Sequence, residues 1–235
     1  MRNLILVIML IFISATYAQS SDNKAETGKF LLGANISPTI SWIDTEHNDL
    51  QTDGATITGG VGFVAEYKAS RLFSLVSGLN FILPGGYVFD SLSLADQSTK
   101  NNFRVNFPSL EVPVLIRINS IPFEKTTYYA QGGLTTSYRF SATESYRASS
   151  FQTSDRHIDI TPLINPIQLN FQIGFGAKFR VLRLFRLFAE VNYKNSIVNL
   201  ASETGYMMAP LRYSAANPVP DIRNGNMVFS VGVLF

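Results

Sequence analysis

The chain has no cysteine, which excludes disulfides, thiolate metal sites, a cysteine nucleophile and a lipid-modified cysteine behind a signal segment. It is also poor in charge. Asp, Glu, Lys and Arg make up 15% of the residues, against about 25% in an ordinary soluble domain. The charges nearly cancel, 19 basic against 17 acidic for a net +2, so the strongly basic surface that nucleic acid selects is absent. Beyond the first 18 residues no apolar run approaches the roughly 20 residues of a transmembrane helix. Histidine is scarce, with only His47 and His157, and no metal-ligand spacing appears. Yet 46% of the chain is hydrophobic. Apolar residues spread thinly and never gathered into a block point to strands with one greasy face.

Residues 168–180 have this form. Leu169, Phe171, Ile173, Phe175, Ala177 and Phe179 alternate with Gln168, Asn170, Gln172, Gly174, Gly176, Lys178 and Arg180. Side chains on a strand alternate faces with period two, so one face is apolar and the other wet. At about 3.3 Å per residue the segment is long enough to cross a bilayer at a tilt.

The N-terminus reads Met1-Arg2-Asn3, then an apolar run from Leu4 to Ile13, then small residues ending at Ala18. That is the layout of a secretory signal peptide over residues 1–18. Residues 19–28 form a polar, aperiodic lead. The rest, 29–235, reads as one all-β domain.

Eight alternating segments follow, at residues 29–42, 55–68, 72–83, 103–118, 126–140, 168–180, 186–194 and 224–235. The connections alternate long and short along the whole chain. An even number of strands with short turns at one end and long loops at the other describes an up-and-down, antiparallel transmembrane β-barrel. Its turns are periplasmic and its loops extracellular. Trp42, Phe81, Tyr138, Phe140 and Tyr193 fall at the outer interface. Phe30, Tyr67, Phe73, Tyr128, Phe179 and Phe235 fall at the inner one, giving two aromatic girdles. A soluble lipocalin-type barrel would be apolar inside; here the wetter face carries Glu, Lys, Arg, Gln and Gly. Pro38 predicts a bulge or a departure from the neighbouring strand. A phase slip between Phe103, Val105, Phe107 and Leu110, Val112, Val114 predicts a bulge near Pro108 and Ser109. The pattern offers no local reason for Pro113.

The inward positions carry Lys68, Glu66, Arg104, Glu111, Arg117, Arg139, Lys178, Arg180, Glu190 and Lys194. An eight-stranded lumen is largely filled by side chains, so these charges must pair. Glu66, Glu111 and Glu190 with Arg117, Lys178 and neighbours predict a structural plug, helped by inward Val64, Val76, Leu115, Phe188 and Leu234. The other reading is a narrow anion-preferring passage. No catalytic or cofactor-binding set emerges. Asp155-Arg156-His157-Ile158-Asp159 is the one cluster that could serve a hydrolase or acyltransferase at the rim. The glycines at 59–62 and 174–176 lie within strands with no helix following, which fails the context a phosphate loop needs. The expectation is a non-enzymatic protein whose partners are outer-membrane lipids.

Pro108-Ser-Leu-Glu-Val-Pro-Val-Leu-Ile-Arg117 resembles the strand signature of the PorT family, with Leu110, Glu111, Val112 and Pro113 as its core. Leu72 to Asn80 and Gln131-Gly-Gly133 resemble the flanking strands. The resemblance implies a small outer-membrane barrel of Bacteroidetes type, with Pro113 as a family feature. The overall expectation is a structural, adhesive or secretion-accessory role, and the resemblance adds a link to type IX secretion. Terminal Phe235 is similar to the signal read by the barrel-assembly machinery. The leader is the feature most directly checked. N-terminal sequencing of protein from outer membranes is expected to begin at Gln19, and a retained leader would overturn the assignment.

Overall fold

The computed structural model describes residues 30–45, 50–52, 54–90, 102–147, 156–182, 185–199 and 222–235. The segment 1–18 and the lead 19–28 lie outside them. The described strands are β1 (Phe30–Ile36), β2 (Thr39–Thr45), β3 (Leu50–Thr52), β4 (Thr56–Thr58), β5 (Gly60–Lys68), β6 (Phe73–Ile82), β7 (Gly85–Asp90), β8 (Asn102–Asn106), β9 (Ser109–Asn119), β10 (Thr126–Arg139), β11 (Thr143–Arg147), β12 (Arg156–Asp159), β13 (Ile167–Arg180), β14 (Arg186–Ser196) and β15 (Ile222–Leu234). Among the described residues no helix is long and apolar enough to cross a membrane; the crossing is made by strands.

Strand pairing runs β1-β5-β6-β9-β10-β13-β14-β15, and β15 pairs back onto β1, with Gly33 opposite Leu234 and Ile36 opposite Val231. This is a closed antiparallel barrel of eight staves, with β1–β2 and β4–β5 each forming one stave. Closure matters because hydrocarbon offers no water to an unpaired sheet edge. The outward positions are bare apolar side chains, such as Ile57 at 78%, Phe175 at 67% and Ile116 at 62% exposed. Among the buried residues, polar and charged types outnumber hydrophobic ones about two to one. A soluble barrel would have the reverse distribution.

Pro38 produces no bulge. Thr39 faces Val228 and Ile36 faces Val231, so the register against β15 is the same on both sides of it. Its carbonyl still accepts from Phe229 N at 2.9 Å, and only the donor that proline lacks is missing. Pro113 behaves likewise. Its ladder with β10 is unbroken, while the β6–β9 pairing skips from Ser77–Val114 to Asn80–Glu111. The lost bond falls on the β6 side, opposite Gly78.

The predicted bulge near Pro108 and Ser109 is not there. Gly85–Asn106 continues the register of Ile82–Ser109, and Val105, Phe107, Ser109 and Glu111 are all buried. The phase slip in the sequence has another cause: inward positions turn apolar once the chain rises above the polar lumen. The extra residue sits across the ladder, between Arg139–Ser109 and Thr143–Asn106.

Parts of the predicted long loops are strand. β7, β8, β11 and β12 prolong their staves into a second, five-stranded sheet ordered β12-β11-β8-β7-β3. It folds over the inner face of β2, where Gly85 N donates to Ser41 Oγ at 3.1 Å. A Cβ on Gly86 would stand 2.7 Å from Ile43 Cγ1, so the approach requires glycine. Ile43, Val105, Phe107 and Ala142, with Ile160 and Ile164 against them, form the apolar core of this cap.

Register is locked by bulky residues lying over glycines directly opposite. Tyr129 faces Gly176, Phe188 faces Gly232 and Trp42 faces Gly225. A Cβ on these glycines would lie 2.7, 2.5 and 2.5 Å from the respective ring atoms. Gly232→Ala would also bring its methyl 2.3 Å from the Ala34 carbonyl, so ring and backbone must both move. The expected loss is about 1–3 kcal/mol, read as a lower urea midpoint in Trp42 fluorescence; an unchanged midpoint would refute the packing argument.

Candidate functional site in the barrel lumen

The inward rows of five staves meet at Arg117. Its Nη1 donates to Glu66 Oε2 at 2.9 Å and its Nη2 to Glu190 Oε2 at 3.0 Å. Nε and Nη2 both reach Gln131 Oε1, at 2.9 and 2.6 Å. Lys178 Nζ closes on the other side of Glu66, 2.7 Å from Oε1 and 3.0 Å from Oε2. Tyr129 packs its ring 3.9 Å from the Arg117 Cζ and donates its hydroxyl to Glu190 Oε2 at 2.8 Å. Asn192 Nδ2 donates to Glu190 Oε1 at 2.9 Å. Arg117 and Glu66 are essentially inaccessible to solvent. Every carboxylate oxygen in this cluster therefore has a donor, the condition under which buried charge is tolerated.

A second pair lies nearer the loops. Lys194 Nζ sits 2.5 Å from Glu111 Oε2, and Ser137 Oγ donates to Glu111 Oε1 at 3.1 Å. Asn170 Nδ2 in turn donates to Ser137 Oγ at 2.9 Å. Between the two groups is a cavity of about 40 Å³ lined by Arg117, Glu190, Gln172, Lys194 and Asn35 among others. That is room for about three or four waters, at roughly 10–15 Å³ each. Asn35 Oδ1 has no protein partner and borders this space. On the turn side Leu31, Phe188 and Leu234, with Val64 against them, fill the lumen with apolar bulk.

Of the five charged residues singled out from the sequence, Glu66, Arg117, Lys178 and Glu190 form one network; Glu111 stands apart with Lys194. Tyr129 is not among the residues singled out from the sequence. Its position on the polar row of β10 was the only signal available. In the Leu110–Pro113 motif, Glu111 and Pro113 face inward, and Val112 faces out.

Of the eleven aromatic residues placed in the girdles, Phe30, Tyr67, Phe73, Phe81, Tyr128, Tyr138, Phe140, Phe179 and Phe235 are exposed. Trp42 and Tyr193 are half-buried against each other, with ring centres 6.2 Å apart. Tyr138 and Phe140 meet edge to face at 5.5 Å. Phe81 also approaches Phe140, at 6.4 Å.

The rim cluster is only partly described. His47 lies outside the described residues, as does Asp155; the backbone of His157 pairs with Ser145. Asp159 accepts from Thr161 Oγ1 at 2.5 Å and Thr161 N at 2.9 Å, and these bonds hold its carboxyl below the usual range. It lies just before a short 3-10 turn over Thr161–Leu163, whose N-cap residue is Ile160. Among the described residues no three His, Asp or Glu side chains gather as a metal site would require.

The Lys194–Glu111 pair shares no ion pair with the Arg117 network, which permits a double-mutant cycle. Lys194→Met alone strands a buried carboxylate, with an expected loss of about 3–5 kcal/mol. Combining it with Glu111→Leu is expected to recover most of that loss. Urea unfolding measures both, and additive losses would show that the two residues are not coupled.

Residues 17–202 match the family model described as outer membrane protein beta-barrel domain. Comparison with curated protein sequences gives no match. Among solved structures, OprG from Pseudomonas aeruginosa is similar at 10% identity, covering 89% of this chain and 96% of that one, TM-score 0.46. Neisserial surface protein A shows 12% identity over 88% and 98%, TM-score 0.44. Ail, the attachment invasion locus protein of Yersinia pestis, shows 11% over 88% and 100%, TM-score 0.40. With strand closure, an apolar exterior, a polar lumen and a family model spanning most of its length, the chain belongs to the outer membrane protein beta-barrel domain family.

Proposed function

We propose that this outer-membrane barrel is a non-conducting, non-catalytic anchor. In this reading its outer sheet and loops are displayed as a binding surface, which is a structural or adhesive role. The observation that carries the reading is the filled lumen. The lumen acids Glu66, Glu111 and Glu190 all bond to Arg117, Lys178 or Lys194. Apolar clusters stand at the turn end and beneath the outer sheet. Ions crossing such an interior would have to displace bonds that are satisfied only by one another. Catalysis has little support, since Asp159 is committed to a local turn and the lumen acids are committed to Arg117, Lys178 and Lys194.

The outer-membrane lipids bathe the exposed apolar belt. In this proposal, residues 1–18 direct export and the barrel-assembly machinery reads the alternating β15 ending in Phe235. A secretion-accessory role, with a type IX export machinery as partner, is the second reading. It is favoured by the PorT-like Leu110–Pro113 motif.

Pure protein in planar bilayers is expected to give no stable conductance steps; reproducible ion steps would replace the anchor with the narrow anion-preferring channel. Deletion of the gene separates the remaining two roles. Surface attachment is expected to fall while cargo export stays normal, and failed export would favour the secretion reading instead.

A further inference from the structure

The turn end of the barrel carries apolar side chains that its turns do not need. Ile121 and Phe123 are 80% and 71% exposed, and Leu72, Val181 and Leu182 are exposed too. Other groups make the turns. Ser70 Oγ accepts from Leu72 N and Phe73 N at 3.2 and 3.0 Å, and Ser120 Oγ accepts from Tyr128 N at 3.1 Å. Val181 N and Leu182 N both donate to the Phe185 carbonyl at 3.1 Å. Bare apolar side chains gathered at one end mark a contact surface. They are spread over three turns, from β5–β6 through β9–β10 to β13–β14, so whatever covers them surrounds the rim. Their depth is also set. Phe123 bridges Thr126, two residues past Tyr128 of the inner girdle, and Val181 is two past Phe179. At about 3.3 Å per residue, less the strand tilt, that is about 5–7 Å. A headgroup layer on one side of a bilayer has this thickness.

The same end is basic. Lys68, Arg71, Lys125, Arg180 and Arg186 lie there, and among the described residues none of them makes an ion pair. The described turn residues offer one acid, Glu124. Arg180 stands directly opposite Arg186, an unfavourable cross-strand pairing. Glu66 attracts Lys68 and Arg186, but Lys68 is repelled more strongly by Arg186, and Arg186 by Arg180. Both Glu66 oxygens are in any case held by Arg117 and Lys178.

We propose that the turn end is seated in the headgroup layer of its leaflet and selects anionic phospholipid there. The apolar turn residues reach the acyl boundary. Exposed Arg71, Lys125 and Arg180 meet the phosphates on long flexible stems, and half-buried Lys68 and Arg186 add to the positive field. An acidic soluble protein would match the charge but not a ring of apolar side chains at headgroup depth.

The test reconstitutes the full chain in an equal mixture of phosphatidylcholine and phosphatidylglycerol, extracts it gently and counts the retained lipids by native mass spectrometry. Wild type is expected to keep phosphatidylglycerol in preference by on the order of tenfold. The triple variant Arg71→Gln, Lys125→Gln, Arg180→Gln is expected to keep the two lipids equally. Equal retention by wild type, or an undiminished preference in the variant, overturns the proposal. Should the variant not fold, wild type at high salt takes its place. The preference is expected to collapse there, and its persistence overturns the role of the bases. Depth is read in Phe123→Trp, whose added emission is expected to be quenched by acyl-brominated lipid and spared by aqueous iodide. Quenching by iodide would overturn the seating and point to an acidic soluble partner instead.

Discussion

A strand inside hydrocarbon has no water to take its N–H and C=O groups, and most of this architecture answers that constraint. The sheet closes on itself through β15 and β1. Proline, which cannot donate, sits where its carbonyl can still be used. Pro38, Pro84, Pro108 and Pro166 accept from Phe229, Phe107, Phe140 and Arg139 on adjoining strands. Three of them mark where staves pass from barrel to cap. A break in the ladder is tolerated at that level because the chain is leaving the apolar slab. Pro38 lies mid-stave, and Pro113 is the second proline within the slab. Its missing bond faces Gly78 and borders the small polar cavity, a position where water can reach a freed carbonyl.

The same constraint governs the side chains. Lipid accepts only apolar groups, so the polar residues of a two-faced strand must go inward, and there they must satisfy one another. Arg117 shows the geometry needed. Its planar fork reaches two carboxylates and an amide on three different staves while a tyrosine ring covers its face. A lysine could not do this, because a single ammonium presents no fixed fork. Lys178 has the simpler task of neutralising one carboxylate from one direction.

The staves were legible in the sequence because one physical signal, alternation, sets both faces at once. Residues 168–180 read as a strand and are β13 over nearly the same span. The inward charges were legible as a set for the same reason. Their pairing was not, since partners sit on strands far apart in sequence and meet only through the barrel's shear; Lys178 and Glu66 are 112 residues apart. The cap was misread as loop. Above the lipid the rule inverts, and Val105 and Phe107 are apolar yet face inward. Alternation therefore broke just where structure continued, and a bulge at Pro108 was the natural but wrong inference. Pro113 stayed opaque because its account depends on which neighbouring ladder loses the bond.

The continuity of β6 with β7 and β9 with β8 across that fold line has a mechanical consequence. A pull on the outer sheet runs along the strand axes, so the cross-strand bonds of the barrel are loaded in shear and resist together. A loop attached only at a turn would instead be peeled away bond by bond. Whatever grips the outer sheet is therefore tethered to the membrane through whole staves, with Gly85–Asn106 and Ile82–Ser109 carrying the force in one unbroken register.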